Sequence, residues 1–337
     1  MSPDRFASLT SRYPQLRLLV AGDFCLDRYF ELDPARSEIS IETGLEVHNI
    51  LRVRCQPGAA GTILGNLAAL GVGRLVPVGV CGDDGEGWEL RRALQALPGV
   101  CLEGFHTADG RHTFTYTKPL VCAPDHPPRE LNRLDLKNWT PTPTALEERL
   151  MASLEAAADA ADGVIVMDQV DVPESGVVTT RFRERLSRLS RERPELPVLG
   201  DSRRGLAGWP PLIWKMNLQE LAALTGRRMD ALADIRAACA DLARANARPA
   251  FVTLADRGIV GAQPEGESAH VPAFPARGDI DIVGAGDAVT ANLAAALAAG
   301  AGLVEAMELA MAAASVVVHQ LGTTGTATVA QLRERLL

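Results

Sequence analysis

The chain has 337 residues, of which 47% are apolar, so it is long enough for one large α/β domain or two small ones with a sizeable core. Its net charge is −8, and no basic stripe alternates with aromatic residues, which argues against nucleic acid as a partner. The only three lysines stand outside any Gly-Lys-Ser/Thr motif, which excludes a P-loop. No GxGxxG follows a predicted strand with an acidic residue about twenty positions later, which disfavours a dehydrogenase.

The sequence also bears on the compartment in which the protein works. The six cysteines are scattered without a CxxC pair, which is typical of free thiols in a reducing environment. Residues 1–5 lack the charged-then-apolar order of a signal peptide. The alanine-rich segment 288–304 contains Thr290 and Asn292, so a buried helix is favoured over a membrane span. We therefore expect a cytoplasmic protein without a membrane partner.

Apolar strands alternate with helices along most of the chain. Strands are predicted at residues 17–22, 74–80, 163–167, 197–199, 212–216 and 250–254, with a further strand-like segment at 271–282. Helices are predicted at residues 61–70, 87–97, 144–161, 177–189, 217–225, 230–246 and 288–299. Such alternation indicates an α/β protein with a parallel sheet that is covered by helices on both faces.

Two stretches, residues 31–56 and 111–121, have strand-like periodicity with no intervening helix. We predict that they form a small β lid that projects from the domain, and an ordinary β extension at one sheet edge is the alternative. The α/β core then consists of residues 1–30, 57–110 and 122–337.

The segment Asp281–Asp287 reads DIVGAGD and opens directly into a helix. Unpaired N–H groups and the positive helix end would converge there, which favours an anion such as phosphate. A carboxylate at Asp287 would repel the anion, yet it could take a proton from an attacking hydroxyl. The alternative is that Asp287 only caps the helix and the glycines only make a turn.

Other polar residues follow the ends of neighbouring predicted strands. They are Asp23 and Asp27, Asp168, and Asn217 with Glu220. Because ligands of parallel sheets bind beyond the carboxyl ends of the strands, these residues and the glycine turn are candidates for a single crevice.

Six segments, in the same order along the chain, resemble the ribokinase (PfkB) family of sugar and nucleoside kinases. They are Gly22–Asp27, Pro57–Thr62 with Asn66, Gly79–Gly85, Asn217–Glu220, Thr253–Gly258 and Asp281–Asp287. Within the family, the heptose-phosphate kinase branch is the most similar, through residues 116–118, 133–135, 201–203 and 322–326.

The resemblance implies a ribokinase-like three-layer α/β/α fold and transfer of phosphate from ATP to a hydroxyl of a sugar or sugar phosphate. Asp287 would be the base, and the turn Gly284, Ala285 and Gly286 would form the anion hole together with the N–H of Asp287. The implied nucleotide-site residues are Asn217, Glu220, Thr253, Asp256, Gly258 and Val283. The implied acceptor-site residues are Asp23, Asp27, Gly58, Ala59, Thr62, Asn66, Lys118, Arg133 and Asp168.

The family also implies metal ions and a subunit partner. Asn217 and Glu220 would hold Mg²⁺ through water, although their spacing fits a helix capping box equally well. The family would also bind a monovalent cation such as K⁺ near Asp281 and Val283. Lids of this family often pair between subunits, so we expect a homodimer. Lys118 and Arg133 could equally be solvated surface charges.

Several positions depart from the family pattern and leave the sugar open. They are Ala59, Thr62, Leu120, Ala255 and Ile282. The family has an asparagine at the position of Thr62, and a hydroxyl cannot provide the separate donor and acceptor groups of the amide. The family has a threonine at the position of Ile282, and that threonine could contact nucleotide phosphate. A nucleoside kinase, and a regulator that binds nucleotide or sugar with little activity, are the competing functions.

Overall fold

The computed structural model describes residues 1–123, 126 and 128–337. Its helices are α1 (Pro3–Thr10), α2 (Ala60–Ala69), α3 (Gly85–Gln95), α4 (Thr144–Ala158), α5 (Thr180–Glu192), α6 (Leu218–Thr225), α7 (Leu232–Asn246), α8 (Ala285–Ala298), α9 (Leu303–Val317) and α10 (Val329–Leu336). Its strands are β1 (Arg17–Gly22), β2 (Phe24–Leu32), β3 (Glu38–Ile39), β4 (Glu46–Val47), β5 (Ile50–Ala59), β6 (Arg74–Gly82), β7 (Phe105–Ala108), β8 (Thr115–Val121), β9 (Arg129–Glu130), β10 (Leu134–Leu136), β11 (Gly163–Asp168), β12 (Val198–Ser202), β13 (Ile213–Asn217), β14 (Ala250–Thr253), β15 (Ile259–Ala262) and β16 (Ser268–Val271).

The main sheet has nine strands in the order β16-β15-β14-β13-β12-β11-β1-β6-β7. Pairing is parallel from β7 to β14, and β15 and β16 continue the sheet antiparallel. The central strand β1 lies between β6 and β11, so the chain leaves it toward one side and later returns on the other. A topological switch point of this kind opens a crevice at the carboxyl end of β1.

Helices cover both faces of this sheet. Successive residues of β1 alternate between two cores: Leu18 and Val20 pack with α2, α8 and α9, and Leu19 and Ala21 pack with α4, α5 and α7. That alternation follows from the two-residue period of a strand buried on both sides. The predicted three-layer arrangement is therefore confirmed.

A second sheet, in the order β10-β8-β2-β5 with β9 beside β8, stands next to the main one. It contains parts of both predicted lid stretches and also residues outside them, because β2 begins at Phe24 and β9 and β10 lie between residues 129 and 136. Strand β2 pairs parallel with β8 and antiparallel with β5. The short hairpin β3-β4 forms a separate two-stranded sheet.

The prediction of a strand at 271–282 is wrong beyond Val271. Strands β15 and β16 form an antiparallel hairpin that ends at Val271, and residues 272–284 contain no strand. Pro272 and Pro275 cannot donate to a sheet ladder, and Gly278 has a φ of +73°. The anion-binding turn is therefore reached by an irregular segment. None of the described helices is both long and apolar enough to cross a bilayer.

Candidate active site

The first turn of α8 is built as an open anion-binding turn. Gly284 precedes the helix with a φ of +82°, a left-handed conformation that glycine adopts without strain. The N–H of Ala285 donates to the carbonyl of Ile282 at 3.2 Å. Within the described part of the chain, no acceptor is found for the N–H of Gly286 or of Asp287. Two of the three predicted donors are thus free to bind an oxyanion.

The carboxyl group of Asp287 is poised to act near neutral pH. Burial is the main cause that raises its pKa to about 7, the neighbouring carboxylate of Asp201 adds to the effect, and the ammonium of Lys215 opposes it. Asp27 also raises this pKa, so the two carboxyl groups are close enough for their charges to interact. A carboxyl group whose pKa lies near 7 has the acidity that suits a general base at neutral pH.

A buried ion pair lies directly beneath this turn. Lys215, the third residue of β13, places its Nζ 2.7 Å from Oδ2 of Asp201 on β12. The hydroxyl of Thr290, one turn further along α8, donates to the same carboxylate oxygen at 2.8 Å. Sequence reasoning assigned no role to Lys215; the available signal was a lysine within an otherwise apolar strand.

Two of the residues predicted to contact the acceptor, Asp27 and Lys118, lie on the second sheet. Asp27 on β2 is buried, and the Nζ of Lys118 on β8 lies 3.5 Å from its Oδ1 and 3.4 Å from the hydroxyl of Tyr29. Burial raises the pKa of Asp27, and Lys118 opposes the shift. Gly58 on β5 permits this approach, because a Cβ there would be 2.7 Å from the Asp27 carboxylate. The structure therefore brings Asp27 and Lys118 together, and their contact with an acceptor stays a prediction.

Asp23 has a different environment from Asp27. Its Oδ2 accepts from the N–H groups of Gln169 and Val170 at 2.9 and 3.0 Å, and its Oδ1 accepts from Val177 at 2.7 Å. Burial, followed by the charge of Asp168, raises its pKa to about 6. Both oxygens are occupied by backbone donors, so this carboxylate anchors the loop after β11.

Asp168, at the end of β11, is also held by protein partners. Its Oδ2 accepts from the hydroxyl of Ser202 at 2.7 Å, and the guanidinium of Arg204 lies 3.1 Å from both oxygens. Burial raises the pKa of Asp168, whereas Ser202 and Arg204 lower it. Arg133, which was predicted to contact substrate, pairs with Asp135 at 2.6 Å and stacks over the ring of Tyr116 at 4.7 Å.

The start of α2 carries the other predicted acceptor residues. Ala59 has a φ of +53° where the chain turns into the helix. Thr62 is buried, and its hydroxyl donates to the carbonyl of Pro57 at 3.4 Å. Asn66 is fully buried and donates to the carbonyl of Gly325 at 3.3 Å, so it joins α2 to the C-terminal loop.

On the nucleotide side, Asn217 and Glu220 form a capping box at the start of α6. The N–H of Asn217 donates to Glu220 Oε2 at 2.8 Å, and the N–H of Glu220 donates to Asn217 Oδ1 at 2.9 Å. Burial raises the pKa of Glu220. Its Oε1 keeps its acceptor capacity, so the pair fits a water-bridged Mg²⁺ as well as a cap. In the described ranges no cluster of three or more His, Cys, Asp or Glu suits direct metal binding.

The loop after β14 is tightly folded. The N–H of Leu254 donates to the carbonyl of Gly258 at 2.7 Å, and the φ values of Ala255 and Gly258 are +53° and +97°. A Cβ at Gly258 would overlap the carbonyl oxygen of Val271, which explains the glycine. The hydroxyl of Thr253 donates to the carbonyl of Met216 at 3.4 Å, and Asp256 is exposed.

Asp281 organises the segment before α8. Its Oδ1 accepts from the N–H of Val283 at 3.0 Å, and its Oδ2 accepts from the N–H of Gly322 at 3.1 Å. The C-terminal loop so attached reaches the second sheet through Gln56 on β5, whose amide bonds the hydroxyls of Thr323 and Thr324 at 2.9 and 2.8 Å. Thr324 in turn packs against Gly284 of the anion-binding turn, since a Cβ at Gly284 would be 3.2 Å from it.

Comparison with known proteins supports the same family. The model of the pfkB family carbohydrate kinases matches residues 209–329, which contain the capping box and the anion-binding turn. The chain is 30% identical over 334 residues to the bifunctional protein HldE of a Bradyrhizobium species, and 33% identical over 338 residues to HldE of Gluconacetobacter diazotrophicus. These alignments cover 98% and 96% of the chain and 66% and 64% of the relatives, so the chain spans just under two thirds of their length.

Solved structures show the same fold. Arabidopsis thaliana ribokinase, complexed with ribose and ATP, matches with a TM-score of 0.69 at 20% identity, over 95% of this chain and 98% of that one. Phosphofructokinase-2 from Escherichia coli, in complex with potassium, matches with a TM-score of 0.71 at 18% identity and the same coverage. The ribokinase-like fold predicted from the sequence is confirmed, and residues 209–329 of the chain belong to the pfkB family of carbohydrate kinases.

Proposed function

We propose that this chain transfers the γ-phosphoryl group of ATP to a hydroxyl of a sugar or sugar phosphate, with Asp287 as the general base. The observation that carries the proposal is the position of Asp287 beside two free N–H donors at the start of α8, in a crevice that it shares with Asp27. Family membership supports the reaction class.

In this mechanism the hydroxyl proton of the acceptor moves to the Asp287 carboxylate while the hydroxyl oxygen attacks phosphorus. The bond from phosphorus to the bridging oxygen breaks, and ADP leaves. The N–H groups of Gly286 and Asp287 stabilise charge on the oxygens of the group in transfer. Asp27, held by Lys118, accepts hydrogen bonds from acceptor hydroxyls and thereby orients the sugar.

The nucleotide would lie against the loop Thr253–Gly258, with Mg²⁺ held through water by Asn217 and Glu220. Bound Mg²⁺ would supply charge neutralisation of the phosphates. A monovalent cation would fit near Asp281 and Val283, because the Asp281 side chain fixes the turn there and leaves backbone oxygens to act as ligands. A phosphofructokinase-2 structure described with potassium has the same fold.

Cationic side chains near Asp27 favour a phosphorylated acceptor. Lys118 is mostly buried, and Arg133 and Lys137 lie along the same sheet next to Asp135. The resemblance of residues 116–118, 133–135, 201–203 and 322–326 to the heptose-phosphate kinase branch favours a heptose phosphate as the acceptor. A regulator that binds ligands without turnover is the second candidate, and the departures Thr62 and Ile282 favour it.

We also propose that two copies pair through the second sheet. Large apolar side chains are exposed on this sheet and on its β3-β4 extension, namely Ile39, Ile41, Leu45, Ile50, Leu51, Val53, Leu134 and Leu136. Large apolar side chains left exposed in such number are typical of subunit interfaces. Analytical ultracentrifugation should give a dimer that Leu51→Glu converts to a monomer, and a monomeric wild type contradicts the pairing.

The function is tested by ADP release with a panel of sugars and sugar phosphates in the presence of ATP and Mg²⁺. We expect release with one class of acceptor and loss of it in Asp287→Asn, with nucleotide binding retained. Nucleotide binding without ADP release for any acceptor favours the regulator instead.

A further inference from the structure

The side-chain amide of Gln56 links the second sheet to the loop of residues 320–326. Gln56 lies half-buried on β5 and is the register neighbour of Asp27 on β2. Its Nε2 donates to the hydroxyls of Tyr29 at 3.2 Å and Thr324 at 2.8 Å, and its Oε1 accepts from the hydroxyl of Thr323 at 2.9 Å. Both amide donors and the amide oxygen are thus engaged, which fixes the orientation of the side chain.

The loop of residues 320–326 has anchors of its own, apart from Gln56. The side chain of Gln320 donates to the carbonyl of Thr326 at 2.7 Å and accepts from the N–H of the same residue at 3.2 Å. Asp281 accepts from the backbone of this loop at 3.1 Å and so holds it to the segment before α8. The bonds of Gln56 therefore connect two elements that are each held by other contacts.

The same loop packs against the anion-binding turn through Thr324. A Cβ built on Gly284 would lie 3.2 Å from the Cβ of Thr324 and 3.3 Å from its Cα, so the glycine rests directly on this threonine. The carbonyl of Gly284 accepts from the N–H of Ala288 at 2.9 Å and thereby begins the hydrogen bonding of α8. A displacement of Thr324 would consequently move the residue that sets the start of the helix.

Polar contacts continue from this packing to Asp27. Lys118 lies 3.5 Å from Oδ1 of Asp27 and 3.4 Å from the hydroxyl of Tyr29. That hydroxyl also accepts from Gln56, whose amide holds Thr324. Contiguous contacts of this kind can carry energetic coupling between two places, and non-additive substitutions detect it.

We propose that Gln56 is a positioning residue that aligns the anion-binding turn with Asp27 on the second sheet. The inference rests on the proposed function, in which an acceptor hydroxyl oriented by Asp27 must meet the phosphoryl group at the start of α8. Gln56 acts through Thr324 and touches no reacting atom. Because a misplacement of about 1 Å can lower a rate about 10²-fold, the hydrogen bonds at this joint are sufficient to affect turnover.

Hydrogen exchange of the whole, ligand-free chain, followed by mass spectrometry, tests the link. Gln56→Met keeps the length of the side chain and removes its hydrogen bonds. We expect about five-fold faster exchange in peptides that span residues 283–290, where the bonded N–H of Ala288 is the reporter, and unchanged exchange in α5. Gln263→Met, the same substitution just after β15, is the matched control and should change neither region. Faster exchange in residues 320–326 without the turn, or in α5 as well, overturns the proposal.

Thr324→Val shows whether Gln56 acts through the loop. Valine keeps the shape that packs against Gly284 and removes the hydroxyl that Gln56 holds. We expect the same faster exchange at residues 283–290 as in Gln56→Met, and no larger effect in the double variant. Additive effects of the two substitutions overturn the proposal. If Gln56→Met does not fold, Thr324→Val decides alone, and wild-type exchange of the turn in this variant overturns the proposal.

Turnover separates a positioning role from direct contact with the acceptor. With the sugar or sugar phosphate that releases most ADP in the panel, Gln56→Met should lower kcat about ten-fold and change the acceptor KM by less than about two-fold. A raised KM with unchanged kcat shows that Gln56 binds the acceptor, and that result overturns the positioning role. If no acceptor releases ADP, the kinase assignment fails, whereas the exchange experiment still decides whether Gln56 holds the turn.

Discussion

The substitution Asp287→Asn should stabilise the folded protein while it abolishes phosphoryl transfer. In the folded state the carboxyl group has a pKa of about 7, against 3.8 for the free side chain, and burial is the first cause. Between these two values the folded chain holds a proton that the unfolded chain has lost. The stability of the wild type therefore falls as pH rises through this window, and asparagine removes that dependence.

The difference between the two pKa values corresponds to about 4 kcal/mol at 1.36 kcal/mol per pKa unit. This is an upper limit, because the carboxyl group is only partly buried and water screens it. We expect Asp287→Asn to raise the free energy of unfolding by about 1–3 kcal/mol at pH 8 and by close to zero at pH 4. Turnover should fall by about 10²-fold to 10⁴-fold, the usual contribution of a general base.

Urea unfolding followed by circular dichroism at both pH values measures the first effect, and ADP release measures the second. Asp241→Asn is the matched control, because this carboxylate on α7 is 70% exposed and should show no pH-dependent gain. An equal change in stability at pH 4 and pH 8, or near-normal turnover, would refute the assignment of Asp287 as a general base with a raised pKa.

Three further predictions concern pH and the acceptor side. Because Asp287 must be ionised to accept a proton and its pKa is about 7, kcat/KM should rise with pH through about 7; a flat profile between pH 5.5 and 8 contradicts this. Asp23→Asn should lower the free energy of unfolding by about 2–3 kcal/mol, with little change in acceptor KM, because its oxygens accept three backbone N–H groups. A raised acceptor KM with an unchanged free energy of unfolding would instead indicate that Asp23 contacts the acceptor. Lys118→Met should raise acceptor KM about ten-fold and leave ADP affinity unchanged, because Asp27 loses the ammonium that opposes the rise of its pKa; equal loss of both affinities argues for misfolding instead.

The layers of the fold could be predicted because each element carries its own periodic signal. Strand β1, with its run of apolar residues, and the capped helix α6 were placed from local sequence alone. The segment 271–282 misled the prediction, since its scattered apolar residues resemble a strand whereas Pro272 and Pro275 prevent ladder pairing beyond Val271.

Residue roles in the site were harder to predict, because they depend on distant partners. Asp23 and Asp27 are four positions apart on one segment, but only the structure shows that backbone donors saturate the first and Lys118 faces the second. The side-chain hydrogen bond between Gln56 and Thr324 joins residues 268 positions apart, and no local sequence pattern indicates it. The role proposed for Asp287, by contrast, depends on the turn next to it, so local sequence was enough to suggest it.

The central position of β1 has a consequence for synthesis of the chain. Leu18 pairs with Gly163 of β11, which is synthesised about 145 residues later. The middle strand of the sheet therefore lacks one of its two neighbours while the intervening chain is made. Until then the apolar edge of β1 is open on that side, next to a completed pairing with β6. The nascent chain must therefore carry an exposed, aggregation-prone strand through roughly half of its translation, and we expect chaperone binding to concentrate in that interval.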